Sequence, residues 1–513
     1  MQPRAHRLAS LLVPSLLLAA CGGGSIDSSS PAATPAPVQD SSIASGSGAA
    51  RSGDIGHSTL SVPVTQPNEE GAALTVSSSG SIDSANPFFR PLGNGRSCAS
   101  CHEEANGWTI GPARLQQRFE ASAGLDPVFR LVDGANSPNA RVDSVDARRS
   151  AYSMLLTRGV IRVGLALPAD AEFTLERVDD PYGYASAREL SLFRRPLPSA
   201  NLRFSSTLMW DGRETLLDAA SSLCIKGARP AACYAALEKD LAQQASDAVK
   251  GHAEATSALS ESERAAIVAF EQSLTIAQQV SKDAGDLSSA GALGGPANLA
   301  RTDFYFGIND VDAGDYRSGA AFNRNVFNLF GAWRNLGQPQ PGPRGGRPQP
   351  PSAQDQARAA IARGEQLFNT RPFTLTNVAG FTDTLRPGLA RATCSSCHSA
   401  PNAGSLSVPR LFNTGTSAAV LRTPDLPLYT LKNKTTGEVV EVSDPGAAMQ
   451  SGRWRDIGKM KTPSLRGLEA RSPYFHDGSA TSVEAVVRFY DRRFRIGLTP
   501  QEVADLSAFL KAL

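Results

Sequence analysis

The chain has 513 residues, of which 41% are hydrophobic and 19% charged, and its formal net charge at pH 7 is +2. This composition provides enough apolar material for two or more hydrophobic cores. Because the basic residues are scattered and the net charge is small, the chain lacks the electrostatic signature of nucleic-acid binding, and that class of function is excluded.

The N-terminus has the pattern of an export signal. Arg4 and Arg7 precede an apolar run from Leu8 to Leu18, which is too short to span a bilayer as a mature helix. The run ends in Leu18-Ala19-Ala20-Cys21, which resembles a bacterial lipobox. We therefore predict a lipoprotein signal peptide over residues 1–21, with a lipid on Cys21 holding the protein on the periplasmic side of the outer membrane. The alternative is an ordinary cleaved signal peptide that contains a cysteine.

Residues 22–80 predict a flexible tether, since they are rich in Ser, Gly, Ala and Pro and poor in aromatic residues. No later segment is apolar over the roughly 18 residues that a spanning helix requires. The lipid is thus the one membrane contact that the sequence predicts.

Two pentapeptides hold four of the seven cysteines. They are Cys98-Ala99-Ser100-Cys101-His102 and Cys394-Ser395-Ser396-Cys397-His398. Thiols at this spacing can add to the two vinyl groups of one haem, and the adjacent imidazole can bind its iron. The alternative is a redox or zinc Cys-x-x-Cys, but the further ligands that zinc needs do not follow. The sequence predicts two covalent c-type haems.

The remaining cysteines, Cys224 and Cys233, predict a disulfide. Cys21 is assigned to lipid and four cysteines to haem, which leaves this pair over. Export implies an oxidising compartment, where two thiols so near in sequence can close a loop.

Periodic apolar residues predict a mainly α fold of two c-type cytochrome-like haem lobes. In the segment from Glu261 to Leu274, Ser260 is the predicted N-cap and Ile267, Phe270 and Leu274 share a face. The other predicted helices and the best short strands are Ala357 to Phe368, Pro500 to Leu513, Val160 to Val163 and Glu438 to Val442.

Gly/Pro-rich stretches at 290–297 and 337–351 interrupt the helical pattern. The second is the predicted connector between an N-terminal haem domain with linking helices (81–336) and a C-terminal haem domain (352–513).

Several motifs resemble the bacterial di-haem cytochrome c peroxidases and their MauG-type relatives. They are MWDGRETL (209–216), KTPSLRGLEARSPYFHDGSATSVEAVVRFYD (461–491), the helix IVAFEQSL, ARGEQLF (362–368) and both haem motifs. The resemblance covers roughly residues 85–280 and 355–513, and it implies the di-haem cytochrome c peroxidase fold. It also implies that the N-terminal domain is peroxidatic and that the C-terminal domain transfers electrons. In this scheme His102 binds the peroxidatic haem iron, His398 binds the second, and Trp210 bridges the two haems.

The resemblance further implies a sixth ligand for the second haem iron. Counting from His476, the position of a methionine ligand in the ordinary peroxidases is Tyr490 here, and MauG-type enzymes carry tyrosine there. A phenolate favours oxidised iron, whereas a thioether raises its potential. Alternatively, Tyr490 is a packed aromatic and Met449 or Met460 is the ligand. His476 is expected to contact a haem propionate or the backbone.

The acid–base residues of the family are missing from their usual places. Family members carry glutamine and glutamate after the bridging tryptophan, where this chain has Ala220 and Pro230. Since O–O cleavage needs a group that moves a proton, Glu238 and His252 are the candidates. His252 could instead be a sixth ligand that closes the first haem to peroxide.

The family also binds a calcium ion between its haems. The matching backbone positions are Arg471 and Pro473, and Asn201 is the nearest candidate side chain, although its spacing differs.

The leading functional hypothesis is an exported di-haem oxidoreductase that uses hydrogen peroxide to oxidise a protein or small-molecule substrate in the MauG manner. The alternatives are an ordinary cytochrome c peroxidase fed by a small electron-donor cytochrome, dioxygen chemistry as in rubber oxygenases, and a non-catalytic electron carrier with two six-coordinate irons. An electron carrier would show only low-spin ferric haem and would not respond to peroxide.

Overall fold

Helices and antiparallel strands alternate along the chain in this computed structural model, which describes residues 59–61, 63–215, 230–339, 347–383 and 391–513. The described helices are α1 (Pro112–Ser122), α2 (Val145–Ala151), α3 (Ser153–Arg158), α4 (Pro230–Gly251), α5 (Glu261–Ser273), α6 (Pro296–Ala300), α7 (Ala353–Thr370), α8 (Ala448–Ser451), α9 (Val483–Phe494) and α10 (Pro500–Lys511). For residues 59–61 and 230–235 only the backbone is described.

The strands make several small antiparallel sheets. They are β1 (Thr59–Ser61), β2 (Val64–Asn68), β3 (Gly71–Ser77), β4 (Ser81–Asp83), β5 (Ile161–Leu165), β6 (Phe173–Asp179), β7 (Leu190–Arg194), β8 (Leu274–Ser281), β9 (Gly285–Asp286), β10 (Phe373–Thr374), β11 (Arg391–Ala392), β12 (Leu411–Phe412), β13 (Leu428–Asn433), β14 (Val439–Val442) and β15 (Met460–Lys461). One sheet has the order β2-β3-β8-β9 and another β14-β13-β6, and the remaining strands form pairs.

The prediction of a mainly α fold is wrong. In the part of the chain that the structure describes, 31% of the residues are helical and 18% are in strands. The two predicted strands are present as β5 and β14, but β8 begins at Leu274, directly where α5 ends, and no glycine or proline marks the change. In β3 the buried residues include Ala73 and Thr75, so the apolar alternation that signals a strand is weak.

Part of the predicted tether forms regular structure. β2 and β3 lie within the predicted tether of residues 22–80, yet β3 pairs with β8 from Gly71↔Ser281 to Ser77↔Leu274. The described residues from Thr59 onward belong to one compact unit. The division of that unit into two haem domains joined by 337–351 stays a prediction, and residues 340–346 of the connector lie outside the described ranges.

The three predicted helices are present. Ser260 caps α5 and forms a capping box with Glu263, as expected from the sequence. α7 and α10 cross closely at Gly364. A Cβ atom there would lie 2.0 Å from the backbone oxygen of Asp505, so the crossing requires glycine. Their shared core includes Phe327, Phe368 and Phe509, and it lies next to the second Cys-x-x-Cys-His motif.

Distant parts of the chain meet through β6 and β13. Phe173 pairs with Asn433 and Asp179 with Leu428. This pairing and the neighbouring β5-β7 pair place the end of β7 beside the loop that follows β14, where the candidate site is built.

Candidate active site

The first candidate site is a cavity around Cys98, Cys101 and His102. Its volume is about 190 Å³, and its walls also include Trp210 and His252. Cys98–Ser100 form a 3₁₀ turn, which brings both thiols and the imidazole to one side of the chain.

His102 is prepared to bind a metal through one ring nitrogen. Its Nδ1 lies 3.1 Å from the carbonyl oxygen of Trp108, which accepts a hydrogen bond if Nδ1 carries the proton. Burial lowers the pKa of His102 to about 4, so the imidazole is neutral. Nε2 is then the nitrogen left for iron.

The second motif repeats this arrangement in a cavity of about 200 Å³. Cys394, Cys397 and His398 line it, and His398 Nδ1 lies 2.6 Å from the carbonyl oxygen of Gly404. Burial lowers the pKa of His398 to about 4 as well.

The four motif thiols lack the low pKa of redox-active cysteines. Burial raises the pKa of Cys98, Cys394 and Cys397 to about 12 and that of Cys101 to about 11. Such thiols are protonated, whereas redox-active cysteines are thiolates with a low pKa. Among the described residues, no group of three or more His, Cys, Asp or Glu side chains is placed to hold a metal ion.

Four cations near the cavities fit the propionate groups of haem. Arg195, Lys461, Arg466 and Arg471 form no ion pair with any described carboxylate, and they donate to backbone carbonyls instead. Burial lowers the pKa of Lys461 to about 8 and that of Arg466 to about 9. Because an uncompensated buried cation is costly, an anionic group bound beside them would be stabilised. The residues therefore fit haem at both cavities.

Trp210 belongs to the wall that the two cavities share. Its Nε1 donates to the carbonyl oxygen of Arg195 at 2.8 Å, and its ring centroid lies 6.4 Å from that of His476. Gly212, two residues on, has a φ of +77°, which explains the glycine of the Trp-Asp-Gly-Arg motif. The shared wall comprises Arg195, Pro196, Leu197, Pro198, Trp210, Lys461, Pro463 and Arg471.

A buried ion-pair network holds this wall. Arg194 Nη1 donates to Asp211 at 2.6 Å, and its Nε and Nη2 donate to Asp444 at 2.7 and 2.9 Å. All three side chains are at most 2% exposed. His476 Nε2 lies 4.0 Å from Asp444, and His476 Nδ1 has no hydrogen-bond partner among the described residues. Its predicted contact with a haem propionate stays a prediction.

Of the two predicted acid–base candidates, the structure brings His252 to the first cavity and Glu238 to solvent. His252 Nδ1 lies 2.6 Å from Asp133 Oδ2, and Asp133 also pairs with Arg96 at 2.6 Å. This carboxylate favours the tautomer in which Nδ1 carries the proton and Nε2 is free. Glu238 is on an exposed face of α4, outside the lining of both cavities.

Sequence reasoning missed Glu271, which lines the first cavity. It is 6% exposed, and its Oε2 has no hydrogen-bond partner among the described residues. Burial raises its pKa to about 8. The feature of the sequence that could have identified Glu271 is its position directly after Phe270, at the apolar face of α5.

Tyr490 lines the second cavity from α9. Burial raises its pKa to about 12, and its ring is parallel to that of Phe494 at 5.9 Å between centroids. Of the alternative ligands, Met460 lines the same cavity, whereas Met449 packs in a different apolar cluster with Tyr429.

The residues predicted to bind calcium are engaged by the protein itself. Asn201 Oδ1 accepts from Ile276 N–H at 3.0 Å, and its Nδ2 donates to the Ile276 carbonyl at 2.9 Å. The Arg471 carbonyl accepts a hydrogen bond from the Arg195 guanidinium at 3.2 Å. Asn201 lines the first cavity, whereas Pro473 lines the second. The calcium site stays a prediction.

Two predictions concern residues outside this site. Cys21, Cys224 and the side chain of Cys233 lie outside the described residues, so the lipid anchor and the disulfide stay predictions. Within the described parts of the chain, none of the helices combines the length and the apolar character needed to cross a membrane.

No model of a known protein family matches the sequence. Cytochrome-c peroxidase IdrP1 of Denitromonas iodatirespirans is 34% identical over 146 residues, which cover 24% of this chain and 37% of the relative. IdrP1 of Pseudomonas sp. (strain SCT) is 34% identical over 143 residues, with the same shares. Cytochrome c551 peroxidase of Nitrosomonas europaea is 36% identical over 76 residues, 14% of this chain and 23% of the relative.

The chain therefore spans little more than a third of the IdrP1 relatives that it matches. Among solved structures, a MauG-like protein associated with microbial copper homeostasis matches with a TM-score of 0.28 and 15% identity, covering 83% of this chain and 93% of that one.

Proposed function

The chain is a relative of the bacterial di-haem cytochrome c peroxidases, and from that premise we propose that it is an exported oxidoreductase that uses hydrogen peroxide at the first cavity. The observation that carries the proposal is the wall containing Trp210, which separates two cavities that each contain a Cys-x-x-Cys-His motif. Haem bound at the motifs would supply the electron chemistry of peroxide reduction. Oxidising equivalents pass through Trp210 to the second cavity.

His252 is the proposed proton carrier at the first cavity. Cleavage of the O–O bond requires that a proton leave one peroxide oxygen and reach the other, which departs as water. With Nδ1 directed at Asp133, Nε2 of His252 can take that proton and return it. Asp133 stabilises the imidazolium formed in between, because its carboxylate is buried and near the ring.

The second cavity suits a MauG-like enzyme. Tyr490 is the proposed iron ligand there, and a phenolate ligand opposes reduction of the iron. Such a site is better suited to withdrawing electrons from an oxidisable protein or small molecule than to accepting them from a small cytochrome. The periplasmic location and the lipid on Cys21 are part of the same proposal.

Replacing Tyr490 with methionine should raise the midpoint potential of the second haem by on the order of 100 mV, since axial ligands set potentials over a range of about 0.8 V. Spectroelectrochemical titration of the purified di-haem protein measures the change. Met460→Leu is the matched control in the same cavity. If Met460→Leu shifts the potential and Tyr490→Met does not, Met460 is the ligand.

A second function is favoured by one feature of the first cavity. His252 Nε2 could bind iron as a sixth ligand, which would make the protein an electron carrier closed to peroxide. Optical and EPR spectra of the oxidised protein, before and after stoichiometric hydrogen peroxide, distinguish the two. We expect a high-spin ferric signal that changes on addition of peroxide. Two low-spin signals that peroxide leaves unchanged, in both the oxidised and the half-reduced protein, would identify a carrier.

A further inference from the structure

Glu271 is an acid without a counter-charge in the first cavity. It lies on α5 with Cys98 among its neighbours in the cavity wall, and 6% of its surface is exposed. Its Oε2 has no hydrogen-bond partner among the described residues. Asp133, the other acid in this wall, is paired with Arg96 and His252. Glu271 is thus the cavity acid that no described cation neutralises.

The elements packed against α5 supply no cation to Glu271. The elements packed most closely against α5 are α4, β8 and the 3₁₀ turns Pro87–Phe89 and Leu202–Phe204. From α4, the apolar side chains of Ala245 and Val249 pack in one cluster with Phe270 of α5. None of the described charged groups on or beside these elements forms an ion pair with Glu271. Arg90 pairs with Glu263, Arg203 donates to the Ala300 and Thr302 carbonyls, Asp247 accepts from Gln243, Asp240 lies near Glu214, Lys282 pairs with Glu70, and Glu238 and Lys239 are exposed.

The remaining charged groups of the cavity wall are also engaged. Arg194 and Arg213 pair with Asp211. Arg195, Lys461, Arg466 and Arg471 donate to backbone carbonyls and lie in or next to the wall shared with the second cavity. The titratable groups Cys98, Cys101 and His102 are those that would hold haem.

We propose that Glu271 binds a proton when the haem held by His102 is reduced and releases it when that haem is oxidised. In a cavity of low dielectric, a carboxylate without a cation is stabilised by the net positive charge of ferric haem and loses that stabilisation on reduction. One electron from a one-electron donor is added to the haem, and one proton from solvent is added to the Glu271 carboxylate. Burial, which raises the pKa of this carboxyl to about 8, agrees with a proton gained near neutral pH.

The inference rests on the proposed function only in requiring haem at the first cavity. Peroxide reduction consumes protons as well as electrons. Because Glu271 would bind a proton each time the haem is reduced, it would supply one of those protons from within the cavity. A non-catalytic electron carrier with the same haem would show the same coupling. Failure of the peroxide reaction and failure of this inference are therefore separate results.

The test is a spectroelectrochemical titration of the first haem in the holoprotein, from about pH 5 to pH 10, a range that brackets the ordinary and the raised pKa of a buried carboxyl. In the wild type, the midpoint potential should fall as pH rises. The slope of potential against pH should correspond to one proton taken up per electron. Glu271→Gln should make the potential nearly independent of pH over that range. Glu238→Gln, on the exposed face of α4, is the matched control and should keep the wild-type slope.

Two outcomes would overturn the inference. One is a wild-type potential that does not change with pH, a result that needs no variant to fold. The other is a slope that survives in Glu271→Gln and disappears in His252→Gln, which would make His252 the proton-binding group. Proton uptake on reduction in weakly buffered solution, followed with a pH indicator, gives an independent count, and Glu271→Gln should take up one proton fewer than the wild type.

Discussion

Replacing Arg194 with alanine should lower the free energy of unfolding by about 3–5 kcal/mol, the cost of removing one partner of a buried ion pair. Arg194 is 2% exposed and donates to two carboxylates, Asp211 and Asp444, that are buried equally deeply. Its loss would leave both charges without their main partner. Denaturant unfolding of the holoprotein, followed by circular dichroism, measures the difference.

The control is an exposed ion pair on the same protein. Arg177→Ala removes the partner of Glu441, and both side chains are well exposed. Exposed pairs contribute about 0–1 kcal/mol, so this variant should unfold nearly as the wild type does. Arg194→Lys keeps the charge but loses the planar two-pronged contact with Asp444, and it should lie between the two. An effect of Arg194→Ala no larger than that of Arg177→Ala would contradict the assigned role.

The effect of Arg194→Ala should also depend on pH. Burial by itself raises the pKa of the Asp211 and Asp444 carboxyls, but the charge of Arg194 more than offsets burial, and both pKa values lie below the ordinary one. Carboxyls with a lowered folded-state pKa stabilise the protein above their unfolded pKa of about 3.9, and this contribution is lost as pH falls through the folded-state pKa. The difference between wild type and variant should therefore be full at neutral pH and shrink in strong acid.

Replacing Trp210 with phenylalanine should slow peroxide-driven oxidation of substrate at least about tenfold, equivalent to about 1.4 kcal/mol, while both haems stay bound. The ring lies in the wall between the cavities, and phenylalanine is much harder to oxidise than tryptophan. The lost hydrogen bond to the Arg195 carbonyl should cost stability only about 1 kcal/mol. Stopped-flow turnover, normalised to haem content, measures the rate.

The matched control is another tryptophan. Trp454 donates to Glu438 near the surface and lines neither cavity, so Trp454→Phe should turn over at the wild-type rate. Equal rates for Trp210→Phe and the wild type would show that oxidising equivalents reach the second haem by another route.

The elements that the sequence predicted correctly are those that short-range interactions stabilise. The capping box at Ser260, the helices α5, α7 and α10, and the strands β5 and β14 follow from residues within a few positions of one another. The errors arose where a distant partner decides the structure. β3 lies in a stretch with the composition of a tether, and it is a strand because β8, some 200 residues later, pairs with it.

The sequence by itself determined the chemistry of the two Cys-x-x-Cys-His motifs, because two thiols and an imidazole within one turn need no distant residue to meet. Only the tertiary structure decided how that chemistry is surrounded. Arg194 pairs with Asp444, which lies 250 positions later in the sequence. Trp210 lines both cavities, and Glu271 is buried without a cation beside it. Burial and the pairing of charges depend on contacts between remote segments, and no local spacing encodes them.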